Sequence, residues 1–261
     1  MQIRDVETWR VCPGVKCGNL GPKIAWAGKD NGWASFDHVR VPRSNMMMKF
    51  CEVSRDGEFS ITGDPRALYS VMMGIRMQIV FYSGRGSLVS TGLALRYCCV
   101  RRQFSTQEQT REERKVIDYQ TTQYTVAKLL ASSLTMLRAG VWANEQYHLM
   151  IEDVKREVFT RMDQNHHVLS GFKALFSELN LKNIDEARRL CGGAGYQSSS
   201  GLPAAWSLFS ANVTLEGENT LMLGQATRYL VKLYRKVQGG KTVAFPFTYL
   251  NGIDAQLKTK S

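Results

Sequence analysis

The chain has no apolar run approaching the ~18 residues needed to span a bilayer, because its longest candidates are broken by Arg76, Arg85 and Arg101. No membrane span is expected. Met1 to Glu7 lack both the basic start and the apolar core of a signal peptide, so nothing there directs the chain to the secretory route. Paired cysteine spacing is also missing. Cys12, Cys17, Cys51, Cys98, Cys99 and Cys191 form no CxxC unit and stand near no histidine set, which argues against a zinc site and reads as reduced thiols. No metal is expected. The last residues, Lys258-Thr259-Lys260-Ser261, are not the Ser-Lys-Leu peroxisomal address.

Acidic side chains are the scarcer charge: 34 Lys and Arg against 23 Asp and Glu leave a formal net charge of +11. Such an excess suits nucleic acid, a membrane surface or a phosphorylated ligand. Its distribution argues against nucleic acid. Arg101-Arg102, Arg111 to Lys115 and Arg188-Arg189 are short clusters separated by mixed stretches, with no basic strip interleaved with aromatics. A small polyanion such as a nucleotide cofactor fits better. With 44% hydrophobic and 22% charged residues, 261 residues are enough for one or two domains with a real core.

Residues 1–63 read as short strands and turns, punctuated by Pro13-Gly14, Gly21-Pro22 and Asp30-Asn31-Gly32. A strand is predicted over Trp33 to Pro42, with Arg40 as a strand-edge partner, and another over Glu58 to Ile61 after the Arg55-Asp56-Gly57 turn. Two or three strands make a poor sheet alone. From Asp64-Pro65, a cap and a first-turn proline, a long helix is predicted to about Arg102, its Gly74, Gly84, Gly86 and Gly92 allowing close helix contact. A polar break follows from Phe104 to about Glu112. Val126, Leu129, Leu130, Ser133, Leu134, Leu137 and Val141 then mark a second long helix. Val168, Leu169, Phe172, Leu175, Phe176 and Leu179 mark a third, or the restart of the second, beginning near Asp163. It should stop at Cys191-Gly192-Gly193-Ala194-Gly195-Tyr196, with a short helix from Pro203 to about Ala211 and a last long one carrying Met222, Ala226, Tyr229, Leu230, Leu233, Tyr234 and Val237. The fold class expected is mainly α: a short β piece over residues 1–63, then an antiparallel helical bundle over residues 64–261.

Leu215-Glu216-Gly217-Glu218-Asn219-Thr220 sits at the mouth of that last helix. There the helix dipole favours an ionised carboxylate while burial opposes it, and opposed effects of this kind can poise Glu216 as a general base. A plain acidic helix start is the other reading of the same spacing. Gly192-Gly193-Ala194-Gly195 follows a helix rather than a strand and so makes a poor dinucleotide fingerprint, and Gly240-Lys241-Thr242 lacks the glycine of a phosphate loop at Arg235. His166-His167 reads as surface histidines at a helix start, and Met46-Met47-Met48 as loop packing.

Taken in order, these stretches resemble the acyl-CoA oxidases, within the wider acyl-CoA dehydrogenase superfamily. The resemblance rests on Leu20 to Lys23, Asp30-Asn31-Gly32, Phe36-Asp37-His38-Val39-Arg40-Val41-Pro42-Arg43, Tyr97, and Val100 to Phe104. It continues through Asp118 to Tyr124, Cys191-Gly192-Gly193 with Gly195-Tyr196, and Leu215 to Thr220. It implies an FAD enzyme that introduces a trans double bond between the α and β carbons of a fatty acyl-CoA and returns the electrons to O₂ as hydrogen peroxide. Glu216 falls on the family's catalytic base, Gly217 on the residue that leaves room for the acyl chain, and Arg76 on an arginine near the base. Arg101 and Phe104 match an Arg-x-x-Phe motif that reaches the FAD pyrophosphate of a neighbouring subunit. Gln120, Gly192 and Gly193 match further FAD contacts. The resemblance therefore implies at least a homodimer, and a peroxisomal location. Ala194 departs from the histidine common in oxidases. The resemblance also implies that residues 1–63 are the C-terminal part of a middle β domain and that the chain is an internal piece of a longer enzyme. A non-catalytic dimerisation module and an acyl-CoA dehydrogenase are the alternatives.

Overall fold

The computed structural model describes residues 1–62, 64, 66–106 and 112–254. Pro65, residues 107–111 of the expected polar break and residues 258–261 of the C-terminus lie outside the described residues. The chain divides into two compact units, Met1–Tyr69 and Ser70–Ser261.

The first unit holds two antiparallel ladders. Strand β1 (Val15–Asn19) pairs with β2 (Gly32–Phe36), Val15 opposite Phe36 and Asn19 opposite Gly32. Gly18 faces Trp33 across this ladder, and a Cβ at Gly18 would sit 2.8 Å from the indole, so the glycine makes room for the ring. Asn19 braces the connection, its Oδ1 accepting from the Gly21 N–H at 2.6 Å and its Nδ2 donating to Asp30 at 2.9 Å. Strand β3 (Cys51–Val53) pairs with β4 (Phe59–Ile61) around the expected turn, with Gly57 at φ +89.

The strand expected over Trp33 to Pro42 ends at Phe36. Asp37 N–H makes a last bond to Gly14 O at 2.8 Å, and His38 then turns left-handed at φ 51. Arg40 is consequently exposed beyond the strand rather than on its edge. The methionine run is not packed as a whole, since Met47 is 92% exposed. Val15 is the only buried hydrophobic residue among those described in this unit.

The second unit is a helical bundle. Its helices are α1 (Arg66–Val100, whose first residues belong to the first unit), α2 (Gln120–Lys155), α3 (Met162–Leu190), the single-turn α4 (Gly192–Tyr196), α5 (Leu202–Ser210) and α6 (Asn219–Gln238). Contacts fix their directions. Gly84 lies against Leu137 and Gly74 against Tyr147, so α1 and α2 are antiparallel. Ser87 meets Asn183 and Cys98 meets Leu190, so α3 runs parallel to α1. Gly171 meets Ala226 and Lys173 meets Asn219, so α6 runs antiparallel to α3. Between α2 and α3 the chain breaks at Glu157, φ 60, which makes α3 a separate helix.

Seven-residue steps build the main core: Met73 and Val80 from α1, Met136, Ala143 and Met150 from α2, and Met162, Leu169 and Phe176 from α3. Side chains recurring at that interval stay on one seam of packed helices. A second apolar cluster, Ala94, Leu129, Ala187, Cys191 and Leu202, closes the other end. Between them lies a paired polar layer. Asn183 donates to Ser87 Oγ (2.7 Å) and Ser132 Oγ (3.0 Å), and Ser87 and Ser133 share a hydrogen bond of 2.6 Å. A polar group in such a seam is satisfied in one register only, so this layer opposes sliding of the helices.

The polar break holds a hairpin that the sequence pattern did not reveal. Strand β5 (Arg102–Thr106) pairs with β6 (Glu113–Lys115), tied by the Arg102–Glu112 ion pair at 3.1 Å. Both strands are too polar to show apolar alternation. The expected stop at residues 191–196 is itself the short helix α4.

The helical glycines are not equivalent. At Gly84 a Cβ would lie 2.6 Å from Leu137 N, a backbone atom that cannot step aside, whereas at Gly92 it would meet nothing within 4 Å. Gly84→Ala should therefore destabilise by roughly 1–3 kcal/mol, and Gly92→Ala should stabilise by about 0.5–1 kcal/mol. Urea denaturation midpoints of the two variants should move in opposite directions.

Candidate active site

The segment between α5 and α6 carries the residues singled out in the sequence. Glu216 is half-buried and holds φ 58, a left-handed conformation that costs a non-glycine residue about 1–3 kcal/mol and persists only where the surroundings impose it. Gly217 follows at φ 105, a conformation that favours glycine, and a Cβ there would come within 2.5 Å of Met222 Cε, the movable end of that side chain. Arg76, 4% exposed on α1, donates from Nε to Glu216 O at 3.0 Å, and its NH1 lies 3.2 Å from His166 Nε2. Arg76, Glu216 and Gly217 are thus brought together by α1 and the α6 approach.

The helix mouth belongs to a different carboxylate. Glu218 is the N-cap of α6, accepting from Thr220 N at 2.9 Å and Leu221 N at 3.4 Å, and these bonds, the one to Thr220 first, hold its carboxyl below the usual range. The role expected of Glu216 at the helix terminus therefore falls two residues later. The reason is geometric: the two left-handed residues turn the chain before the helix begins.

Two neighbours were given no role of their own by the sequence, Lys173 and Asn219. Lys173 is fully buried on α3 and donates to Gly217 O (2.6 Å) and Asn219 Oδ1 (2.9 Å). Burial, with the charge of Arg76 added, pushes its ammonium down to about 8, against the pull of Glu218, Glu216 and Glu178. Asn219, 5% exposed, donates its amide to Ala174 O (3.3 Å), Ser177 Oγ (3.0 Å) and Glu178 Oε1 (3.1 Å), which fixes its oxygen toward Lys173. A lysine inside the apolar stripe of α3 was the available signal. The histidine pair is not on the surface as expected: His167 is 9% exposed and stacks on Tyr229 at 4.9 Å, and His166 is half-buried against Arg76.

The remaining candidates gather at the opposite end of the bundle. Arg101 follows α1 and donates to Gln103 Oε1 at 2.8 Å, and Phe104 is 73% exposed at φ 55. Gln120 opens α2 and is exposed, while Tyr119 beside it donates to Gln103 O at 2.7 Å. Gly192 and Gly193 lie just past α3, both exposed, and a Cβ at either would meet nothing within 4 Å. Gly192 needs its positive φ of 55, but nothing inside the chain requires glycine at 193. An exposed guanidinium, an outward aromatic ring and open glycine backbone form a surface suited to a phosphate-bearing aromatic ligand. Among the described residues no group of three or more His, Cys, Asp or Glu could hold a metal, and no helix is long and apolar enough to cross a membrane.

Comparison with known proteins shows the family. The family model described as acyl-CoA oxidase, C-alpha1 domain, matches residues 69–231. The chain is 34% identical over 254 residues to peroxisomal acyl-coenzyme A oxidase 1 of Rattus norvegicus and of Homo sapiens, covering 97% of this chain and 38% of each relative. Among solved structures, an acyl-CoA oxidase from Lycopersicon esculentum (tomato) superposes with a TM-score of 0.91 at 33% identity, covering 98% of this chain and 39% of that one. Acyl-CoA oxidase-2 of Caenorhabditis elegans, bound with FAD, ascaroside-CoA and ATP, gives 0.85 at 33% identity, covering 92% and 36%. The chain belongs to the acyl-CoA oxidase family. It spans about 38% of the length of the curated relatives it matches.

Burial, ahead of the Arg76 charge, pushes His166 below its ordinary 6.5, and burial does the same to His167. As pH falls the unfolded chain takes up these protons first, so the stability both rings contribute is complete above 6.5 and is lost as pH drops through their lower folded values. Thermal midpoints should therefore decline on acidification from about pH 7.5 to 5. The decline should be shallower in His167→Phe, which keeps the ring stack and cannot be protonated.

Proposed function

We propose that the chain carries the catalytic-base segment and the cofactor-contact surface of an FAD-dependent acyl-CoA oxidase of fatty acid β-oxidation. The reaction converts a fatty acyl-CoA and O₂ to the trans-2-enoyl-CoA and H₂O₂. The observation that carries this reading is Glu216, held half-buried in a left-handed turn whose carbonyl is gripped by a buried arginine. A base fixed in this way loses little freedom on reaching its proton.

In this reading the Glu216 carboxylate removes the α-proton of the acyl chain, and the Glu216 backbone N–H donates to the thioester oxygen as negative charge develops there. Gly217 leaves the approach to Glu216 open to the acyl chain. Arg76, expected near the base, acts through the Glu216 carbonyl it holds. FAD, when bound, supplies the acceptor for the β-hydride and the route for its electrons to O₂. Arg101 would pair with the cofactor's phosphates, Phe104 and Gln120 would flank it, and Gly192-Gly193 would let its backbone approach closely.

These two groups cannot serve one cofactor from a single chain. Arg76 and Arg101 are separated by about 25 residues of helix, roughly 37 Å at 1.5 Å per residue. A homodimer, with each site drawing Glu216 from one subunit and Arg101 from the other, reconciles them. Residues 1–63 then represent the end of a β domain and residues 64–261 the helical bundle domain. The peroxisomal names of the rat and human relatives support a peroxisomal location.

The 261-residue chain should show flavin absorption bands and produce peroxide from palmitoyl-CoA. Glu216→Gln should keep the flavin and lose about 10²–10⁴-fold in rate, and Arg101→Ala should lose the flavin. Co-expressed Glu216→Gln and Arg101→Ala chains should recover part of the activity through one intact shared site. A folded but colourless chain overturns catalysis at this length, and an absence of recovery overturns the shared site.

A further inference from the structure

Two buried cations hold successive carbonyls of one loop. Arg76 takes the Glu216 carbonyl at 3.0 Å and Lys173 takes that of Gly217 at 2.6 Å. These carbonyls belong to the two consecutive left-handed residues, φ 58 and 105. Lys173 has no exposed surface, and both of its direct hydrogen-bond partners among the described residues are neutral. A buried ammonium with neutral partners is an expensive way to join two helices, since an apolar side chain of the same length would fill the space without the cost of desolvation. The charge must therefore act on the loop rather than on the core. The surroundings point the same way: Glu216 and Glu218 face the ammonium from the loop and Glu178 from α3, while Arg76, with His166 behind it, faces it from α1.

We infer that Lys173 is a positioning residue for Glu216: oriented by Asn219, its ammonium clamps the Gly217 carbonyl and, with Arg76, keeps the Glu216–Gly217 peptide in its left-handed conformation. The link to proton abstraction rests on the oxidase reading above. The clamp itself does not. Burial brings this ammonium down to about 8, so the clamp carries a titratable proton.

The test uses the 261-residue chain and reads the loop directly. In the wild-type chain the ¹³C resonance of the Gly217 carbonyl should pass through a transition near pH 8 as Lys173 loses its proton. In Lys173→Met that transition should be absent. Amides of residues 215–220 should also exchange about tenfold faster or more in this variant, while those of Leu129 and Met136 in α2 keep their protection. With palmitoyl-CoA, kcat should drop about 10–100-fold with KM nearly unchanged. A Gly217 carbonyl whose ¹³C resonance is the same in the wild-type and the folded Lys173→Met chains overturns the inference. So does a folded Lys173→Met chain with unchanged loop exchange, or one in which α2 loses protection equally, which would make Lys173 a general helix staple. A clamp signature in a chain that forms no peroxide refutes the oxidase reading alone, whereas peroxide formation without the signature refutes the clamp alone.

Discussion

The arrangement of this molecule turns on a pair of buried cations, Arg76 on α1 and Lys173 on α3, that meet at the carbonyls of Glu216 and Gly217. Neither helix alone could impose two successive left-handed residues on the chain before α6. Each cation needs its own helix held at a set height, and the loop needs both. The order of the site is thus inherited from the register of the bundle. That register is defended by the polar layer of Ser87, Ser133 and Asn183, and by the close crossing at Gly84 and Gly140, where α1 and α2 approach backbone to backbone.

Stability and function are divided along the bundle. The seven-step seam of Met, Leu, Val, Ala and Phe supplies the apolar burial that drives folding. The Glu216 end spends some of that stability on buried charge, a strained glutamate and histidines whose pKa burial lowers. At the opposite end the residues matched to the cofactor are exposed, and Gly193 has no internal reason to be glycine. One end is built inward and the other is presented outward.

Much of the bundle was legible in the sequence because helical periodicity repeats over many residues and local errors average out. The stripes on α2, α3 and α6 are examples, although Leu175, counted in the α3 stripe, is 50% exposed. Short polar elements were not legible. The β5–β6 hairpin is held by an ion pair and backbone bonds rather than by apolar alternation, and β2 stops at Phe36 because His38 turns away, a matter of backbone conformation that side-chain pattern does not encode. His167 looked like a surface residue because its burial is made by Tyr229 and Phe247, which arrive from far along the chain.

The Glu216 segment stood out in the sequence because it is a contiguous run at a helix start, whereas Arg76, Arg101, Phe104, Gln120, Gly192 and Gly193 were singled out by family resemblance. Which carboxylate caps the helix was decided only in three dimensions: the left-handed turn at Glu216 and Gly217 delays the helix and hands the cap to Glu218. The same holds for Lys173, a lysine in an apolar stripe until α3 meets α6 and gives it Gly217 and Asn219 as partners. Periodicity fixes which face of a helix is buried. What a buried polar group touches depends on another helix, its direction and its register, and those are properties of the packed bundle.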